Sequence, residues 1–432
     1  MEAGSPAGGQ RLLVLGAGAA QLGALAAARR RGLYVIAVDR NPGAPGFPFA
    51  DRRAIFSTED ERAVTQLARA ERVDGLLSPG TDWPVAIAAR VAAGLGLPHP
   101  ISPETAALAV SKARERERFA EAGVPQARSV VCRTPDEART AANRLGYPCV
   151  LKPPDRQGQV GLSVAERAED VGAAYAEARG ESRSSAVLVE ELVPGRELTV
   201  NAFSVRGSFI PLTVTDRLTA DRPGFGVALA HAWPSRLPAG DVEAAVDAAR
   251  VACEALGILE GPTYTQVLAA PDGPRVVEVA ARLGGGHDAE LCEAALGVDL
   301  NGLAVSAALG EASNTVLQAP EPASRNAEKP SNTVLQASPR AAGACVRFLV
   351  APEGELVATH GEDDARSVDG VLDVLLYHPA GHRFGPLRRG ADRAGAVLAI
   401  GDSRDDALAR ADRAAQRIRF ETAEIRDAET VV

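Results

Sequence analysis

Short apolar blocks and alanine-rich helical stretches alternate along the start of this 432-residue chain. Residues 11–15 (RLLVL) are followed by Gly16-Ala17-Gly18, an Ala-rich stretch to Arg31 and a stop at Gly32. Residues 34–38 (YVIAV) form a second apolar run, closed by Asp39. Strand, glycine turn, helix and strand predict a βαβ unit with a parallel sheet. A third run at 73–77, a helix over about 85–93 and a short apolar piece at 95–98 extend it into a small doubly wound α/β domain. One helical stretch should then run from 103 to 122, where Gly123 and Pro125 stop it.

Further on, residues 147–152 (YPCVLK) read as a short strand ending in a lysine, and residues 187–205 as strand material bent at Pro194-Gly195. Two more strands, 264–269 and 275–279, flank the turn Pro271-Asp272-Gly273-Pro274 and predict a hairpin. In the tail, strands at 345–350, 370–377 and 396–400 precede an amphipathic helix over 404–419. Residues 311–340 break the pattern. The heptapeptide SNTVLQA occurs at 313–319 and again at 331–337 around a Pro-, Ala- and Glu-rich spacer. Two copies are too few for a solenoid, so the segment reads as a flexible insertion.

Composition narrows the function classes. A net charge of −9, with acids and bases mixed, provides no basic stripe for nucleic acid. No apolar run is long enough to cross a bilayer, and the first residues lack a basic segment leading into an apolar one, so a cytoplasmic protein is expected. Cys132, Cys149, Cys253, Cys292 and Cys345 are scattered, which favours buried reduced thiols over a disulfide frame or zinc site.

Four segments carry candidate chemistry. Gly16-Ala17-Gly18 with Asp39 resembles a dinucleotide fingerprint, but Gln21 stands where its third glycine belongs. Lys112 and Lys152 are two lysines 40 positions apart, and a glycine turn from Gly158 through Gly161 to Ser163 follows the second. An ammonium beside free backbone N–H groups can cradle phosphates; a surface lysine beside a turn is the plain alternative. Glu190-Glu191-Leu192-Val193-Pro194-Gly195-Arg196-Glu197 ends a strand in paired acids that could meet an adenine and a ribose, or simply edge a solvated strand. Finally, Glu278 to Arg282 leads into Gly284-Gly285-Gly286-His287. Glu278 can hold magnesium and Arg282 can clamp phosphate oxygens. Three successive glycines are entropically costly, so close packing or motion should require them.

In this order, over about residues 10–310, these segments resemble the ATP-grasp superfamily, and within it the L-amino-acid ligases and related carboxylate–amine ligases. The likeness implies an α/β fold with an α+β grasp core. An N-terminal doubly wound parallel-sheet domain (10–110) would precede a two-subdomain ATP-grasp domain (111–310) with a substrate loop at about 215–236. The insertion (311–340) and a C-terminal α+β subdomain (341–420) would follow.

It also implies roles. Lys112 and Lys152 would contact phosphates, with the loop through Gly158, Gly161 and Ser163 closing over them. Glu190 would face the adenine amino group, the 191–193 backbone (Glu191, Leu192, Val193) would form the hinge, and Glu197 would hold the ribose. Glu278 and Gln266 would hold Mg²⁺, with Mn²⁺ as an alternative, although many members place an acid at the second position. Arg282 would grip the transferred phosphate, while Arg217, His231, Gly285, Gly286 and His287 would surround the substrates. The implied reaction is ATP-dependent amide formation from a small carboxylate and an amine, in a homodimer without nucleic-acid or membrane partners. Another ATP-grasp chemistry, carboxylase-like or purine-pathway, and an NAD(P)-dependent oxidoreductase are the competing readings.

Overall fold

The computed structural model describes residues 9–221, 224–311 and 339–424. Its N-terminal sheet is wholly parallel, ordered Arg52–Ala54, Tyr34–Val38, Arg11–Leu15, Gly75–Leu77. The central strand is buried on both faces, which is why it reads as an unbroken apolar run. Leu12 and Val14 pack with the helix Leu22–Arg30, while Leu13 and Leu15 pack with Glu61–Glu71 and Asp82–Leu95. The first face also receives the helix Leu300–Ala308, from more than 220 residues beyond the sheet's last strand.

Two local expectations change. The piece at 95–98 is no strand: Leu95 ends the helix Asp82–Leu95, which Gly96 caps in the left-handed conformation at φ +69°. The single helix over 103–122 is two, Pro103–Ala109 and Lys112–Ala122. Ser111 sits at the N-cap of the second in extended conformation and thereby starts a new helix.

The glycine turn at 16–18 is filled from within. Asp39 Oδ2 accepts from Ala17 N at 2.9 Å, Gln21 Oε1 accepts from Gly18 N at 2.9 Å, and Gln21 Nε2 donates to the Pro79 carbonyl at 2.7 Å. The turn's amides and its acid therefore bond within the loop, with Gln21 standing where the fingerprint has its third glycine.

A small antiparallel sheet follows, ordered Ser129–Cys132, Val187–Glu191, Cys149–Lys152, Ser163–Ala165, with the helices Pro135–Leu145 and Val171–Glu181 packed on it. Beyond it lies an eight-stranded antiparallel sheet: Gly273–Ala280, Gly261–Ala270, Arg196–Val205, Ser208–Thr219, Ala228–Trp233, Gly343–Leu349, Gly395–Gly401, Val371–Leu376. Its last three strands come from the tail, so part of that unit extends the central sheet. A further sheet joins Arg383–Phe384, Gly354–His360 and Arg419–Ala423. The stretch expected as a substrate loop at about 215–236 contains the end of the strand Ser208–Thr219 and the strand Ala228–Trp233, which pair with each other from Asp216↔Ala232 to Thr219↔Ala228. The repeated heptapeptide at 313–319 and 331–337 lies outside the described residues. All five cysteines are buried and free. Among the described residues no single helix is long and apolar enough to cross a membrane.

Candidate active site

A cleft of about 620 Å³ opens between the small sheet and the eight-stranded sheet. The chain crosses from one to the other at Leu192–Gly195, because Val187–Glu191 belongs to the first and Arg196–Val205 to the second. Lys112, Lys152, Gly158, Glu190, Glu191, Leu192, Val193, Glu197, Arg217, Gln266 and Glu278 all line this cleft, although they are spread over some 170 positions of sequence. Gly161 and Ser163 instead border the adjoining groove, where the Ser163 hydroxyl donates to Glu177 Oε2 at 2.5 Å.

On the small-sheet side, Glu190 is buried between two cations. Lys152 Nζ lies 2.5 Å from one carboxylate oxygen and Arg116 Nε 2.7 Å from the other. Burial alone would raise the Glu190 pKa, but Arg116 and Lys152 hold it down at about 2. The Glu190 carboxylate is thus committed to placing Lys152, and an adenine would have to share it. Arg116 also donates to the Val277 carbonyl at 2.8 Å, tying the helix Lys112–Ala122 to the strand that carries Glu278.

Across the cleft, the hairpin of Gly261–Ala270 and Gly273–Ala280 sets Gln266 opposite Glu278. Glu278 Oε2 lies 2.8 Å from Lys112 Nζ, which also donates to the Arg156 carbonyl at 2.8 Å. Burial works against both charges, yet each supports the other: the Lys112 pKa rises to about 12 and that of Glu278 falls to about 2. Glu197 Oε2 accepts from Arg217 at 2.8 Å and from Gln266 Nε2 at 2.9 Å. The Arg217 guanidinium is therefore paired inside the cleft, and the Gln266 amide oxygen is left as its acceptor atom.

Arg282 stands just beyond. Its Nε and one terminal nitrogen reach Asp82 Oδ1 at 2.8 and 2.5 Å, and its other terminal nitrogen donates to the Leu283 carbonyl at 2.9 Å. Asp82 escaped the sequence reading because it looks like an ordinary first-turn acid of its helix; only its meeting with Arg282, 200 positions away, gives it a role. Close packing explains the glycines that follow. A Cβ on Gly284 would meet Tyr264 Cδ2 at 2.8 Å, one on Gly285 the Gly80 carbonyl oxygen at 3.0 Å, and one on Gly286 His231 Cε1 at 2.6 Å.

Past these glycines lies a buried polar group. His231 Nδ1 is 3.1 Å from Asp288 Oδ1, Gly286 N donates to Asp288 Oδ2 at 3.3 Å, and His287 Nε2 shares a hydrogen bond of 2.6 Å with Tyr377 Oη. Burial drops the His287 pKa to about 4, so its ring is neutral near pH 7. Asp288, Tyr377 and Glu115 were also not anticipated. Glu115 is fully buried beside Lys112 and accepts from Val279 N at 3.1 Å; burial pushes its pKa up to about 8.

Among the described residues no cluster of three or more His, Cys, Asp or Glu side chains forms a ready metal cage. One carboxylate (Glu278) and one amide oxygen (Gln266) on paired strands do fit magnesium, which commonly takes one or two protein carboxylates and completes its shell with phosphates and water.

Residues 111–316 match the family model for the carbamoyl-phosphate synthase L chain, ATP binding domain, and residues 347–423 that for the L-amino acid ligase C-terminal domain 2. The chain is 27% identical over 394 residues to the uncharacterized protein y4rH of Sinorhizobium fredii, covering 88% of this chain and 76% of that one. It is 33% identical over 189 residues to the formate-dependent phosphoribosylglycinamide formyltransferase of Wolinella succinogenes. That match takes in 43% of this chain and 48% of the relative, about half its length. In fold, the chain is similar to an L-amino acid ligase from Bacillus licheniformis, with a TM-score of 0.79 at 19% identity over 96% of this chain and 99% of that one.

Proposed function

Because this chain belongs to the ATP-grasp superfamily and is an ATP-dependent ligase, we propose that it joins a small carboxylate to an amine through an acyl phosphate, releasing ADP and phosphate. The observation that carries this reading is the convergence of Lys112, Lys152, Gln266 and Glu278 on one cleft, with Arg282 fixed beside it by Asp82.

In the first step a carboxylate oxygen attacks the γ-phosphorus of ATP, and the bond to the β-phosphate oxygen breaks. Lys152, aimed by Glu190, and Lys112, aimed by Glu278, supply the positive charge that holds the phosphates in line. Glu278 and Gln266 would hold Mg²⁺, or Mn²⁺ in its place, and the ion's charge would screen the phosphate oxygens. Arg282 offers its planar fork to the transferred phosphoryl group. In the second step the amine attacks the acyl carbon, phosphate departs, and the amide remains. The glycine turn at 158–161 is docked toward the N-terminal domain, where Gln157 bonds to Asp82 N and to the Gly80 carbonyl, so it can roof the cleft and shield the acyl phosphate from water. Cytoplasmic localisation and a homodimer belong to the same reading.

A second reading is favoured by the formyltransferase match over 189 residues of this chain. It keeps the same activation of a carboxylate and changes the acid and the amine. The L-amino acid ligase match over 347–423 favours an amino-acid substrate instead.

A screen of amino acids and other carboxylates for ADP and phosphate release, with products weighed by mass spectrometry, tests the proposal. The expected product has the mass of acid plus amine minus water. Glu278→Gln and Arg282→Ala should each abolish ADP release while the circular dichroism spectrum is kept. Undiminished ADP release in both variants, or stabilisation of the protein by NAD(P)H and not by ATP with Mg²⁺, overturns it.

A further inference from the structure

The small sheet is fastened to the N-terminal domain by an arginine that does not line the cleft. Arg183 lies between the helix Val171–Glu181 and the strand Val187–Glu191. Its two terminal nitrogens donate to the two carboxylate oxygens of Glu59 at 2.8 and 2.5 Å, and its guanidinium carbon lies 4.6 Å from the centroid of the Trp83 ring. Both partners belong to the N-terminal domain. Glu59 precedes the helix Glu61–Glu71, where Asp60 caps the first turn by accepting from Ala63 N at 2.9 Å. Trp83 stands in the first turn of the helix Asp82–Leu95, next to the Asp82 that holds Arg282.

Ion pairs open to water ordinarily contribute little, because two flexible side chains must be held together against solvent and salt. Three features set this one apart. The contact is bidentate, which fixes the plane of the guanidinium. The Trp83 ring attracts the same cation through its π face. The backbone that presents Arg183 is also tied down, since the Asp155 carboxylate accepts from Arg183 N at 3.0 Å and from Ser184 N at 2.7 Å.

Asp155 lies in a segment that meets the site directly. The Pro154 carbonyl accepts from Lys112 N at 2.7 Å, the Arg156 carbonyl accepts from Lys112 Nζ at 2.8 Å, and Gln157 bonds to Asp82 N and to the Gly80 carbonyl. The small-sheet unit therefore grips the start of the helix Asp82–Leu95 at two successive residues. Gln157 holds the backbone of Asp82, and Arg183 holds the ring of Trp83.

We propose that Arg183 is a positioning residue for phosphoryl transfer: by clamping the small sheet to Glu59 and Trp83 it fixes the helix start that carries Asp82, and through Asp82 the fork of Arg282. This rests on the ligase reading above. Asp155 and Gln157 lead straight into the glycine turn at 158–161, so the same clamp keeps that turn over the cleft. Opening it should slow phosphoryl transfer and let water reach the acyl phosphate. Hydrolysis there returns the free carboxylate and phosphate, so ADP accumulates without amide.

The test compares full-chain variants with wild type, using the acid–amine pair found by the screen. Arg183→Met should lower kcat for ADP release roughly 10-fold while KM for ATP barely moves, and Arg183→Lys should recover part of the loss. More than one ADP should form per amide in Arg183→Met. In the Asp82→Asn background the same substitution should cost less than about 2-fold more, because both changes act through Arg282. Glu59→Gln touches neither Trp83 nor the cleft, yet it should uncover the ring and shift its fluorescence to longer wavelength. The chain has two tryptophans, so the shift should vanish when Glu59→Gln is made together with Trp83→Phe. Unchanged circular dichroism spectra show that the variants are folded. The proposal is overturned if Arg183→Met keeps the wild-type kcat, if its loss multiplies in full with that of Asp82→Asn, or if Glu59→Gln leaves the emission unchanged. Loss of the ligase reading looks different: Glu59→Gln would still shift the Trp83 emission while no acid–amine pair released ADP, and the catalytic role of the clamp would fall with that reading.

Discussion

Glu190→Gln removes the carboxylate that Lys152 and Arg116 share and leaves the side chain's size unchanged. Both cations are at most 6% exposed, so water cannot replace the lost charge without opening the small sheet away from the helix Lys112–Ala122. The native pKa of Glu190, held at about 2 by Arg116 and Lys152 against an ordinary 4.5, corresponds to favourable interaction on the order of 3 kcal/mol at neutral pH. Leaving two buried cations unpaired costs a similar amount, about 3–5 kcal/mol.

The pH dependence follows from the sign of the shift. A carboxyl group with a depressed native pKa contributes fully above about pH 4.5, and the contribution disappears as pH falls through about 2. Urea unfolding of wild type and variant at pH 7, 5 and 4 measures it. The variant should be less stable by about 3 kcal/mol at pH 7 and pH 5, and the gap should begin to narrow at pH 4. Inorganic phosphate should stabilise the variant more than wild type, because an anion can take the vacated place between the cations. A difference below about 0.5 kcal/mol at pH 7, the range of ordinary surface changes, refutes this account of Glu190.

Two further substitutions probe the region around Arg282. Gly286→Ala puts a methyl group 2.6 Å from His231 Cε1 in a ring with no room to retreat, and should cost about 1–3 kcal/mol; an unchanged melting temperature contradicts this packing. Asp82→Asn keeps the shape but removes the charge that aims Arg282, so kcat for ADP release should fall about 10-fold or more while KM for ATP barely moves; an unaltered kcat shows that Asp82 does not position Arg282.

Much of the local structure was legible in the sequence. The doubly buried strand Arg11–Leu15 announced itself by its unbroken apolar run, and the hairpin of Gly261–Ala270 with Gly273–Ala280 by its Pro-Asp-Gly turn. That hairpin brings Gln266 against Glu278, so their pairing follows from local pattern, while the metal role proposed for Gln266 came only from the family resemblance. The need for close packing at Gly284 to Gly286 was likewise readable, though not the identity of what presses on them. The boundary errors have a local cause: Gly96 and Ser111 interrupt helical patterns by backbone conformation, which apolar periodicity does not register.

What each segment can be is set by residues that touch it in sequence, through strand and helix periodicity, glycine stops and turn chemistry. The sequence by itself therefore determined the sheet-forming segments and singled out the two lysines, acids and arginine proposed to carry the chemistry. Which segments meet is set by the burial of faces that sequence order does not pair. Only the tertiary structure could lay Leu300–Ala308 on the N-terminal sheet, extend the central sheet with strands of the tail, and pair Arg282 with Asp82. The same long-range closure spent the charge of Glu190 on Lys152 and Arg116. Charges in a low-dielectric interior are governed by distance, and the distance between residues far apart in sequence exists only after the chain has folded.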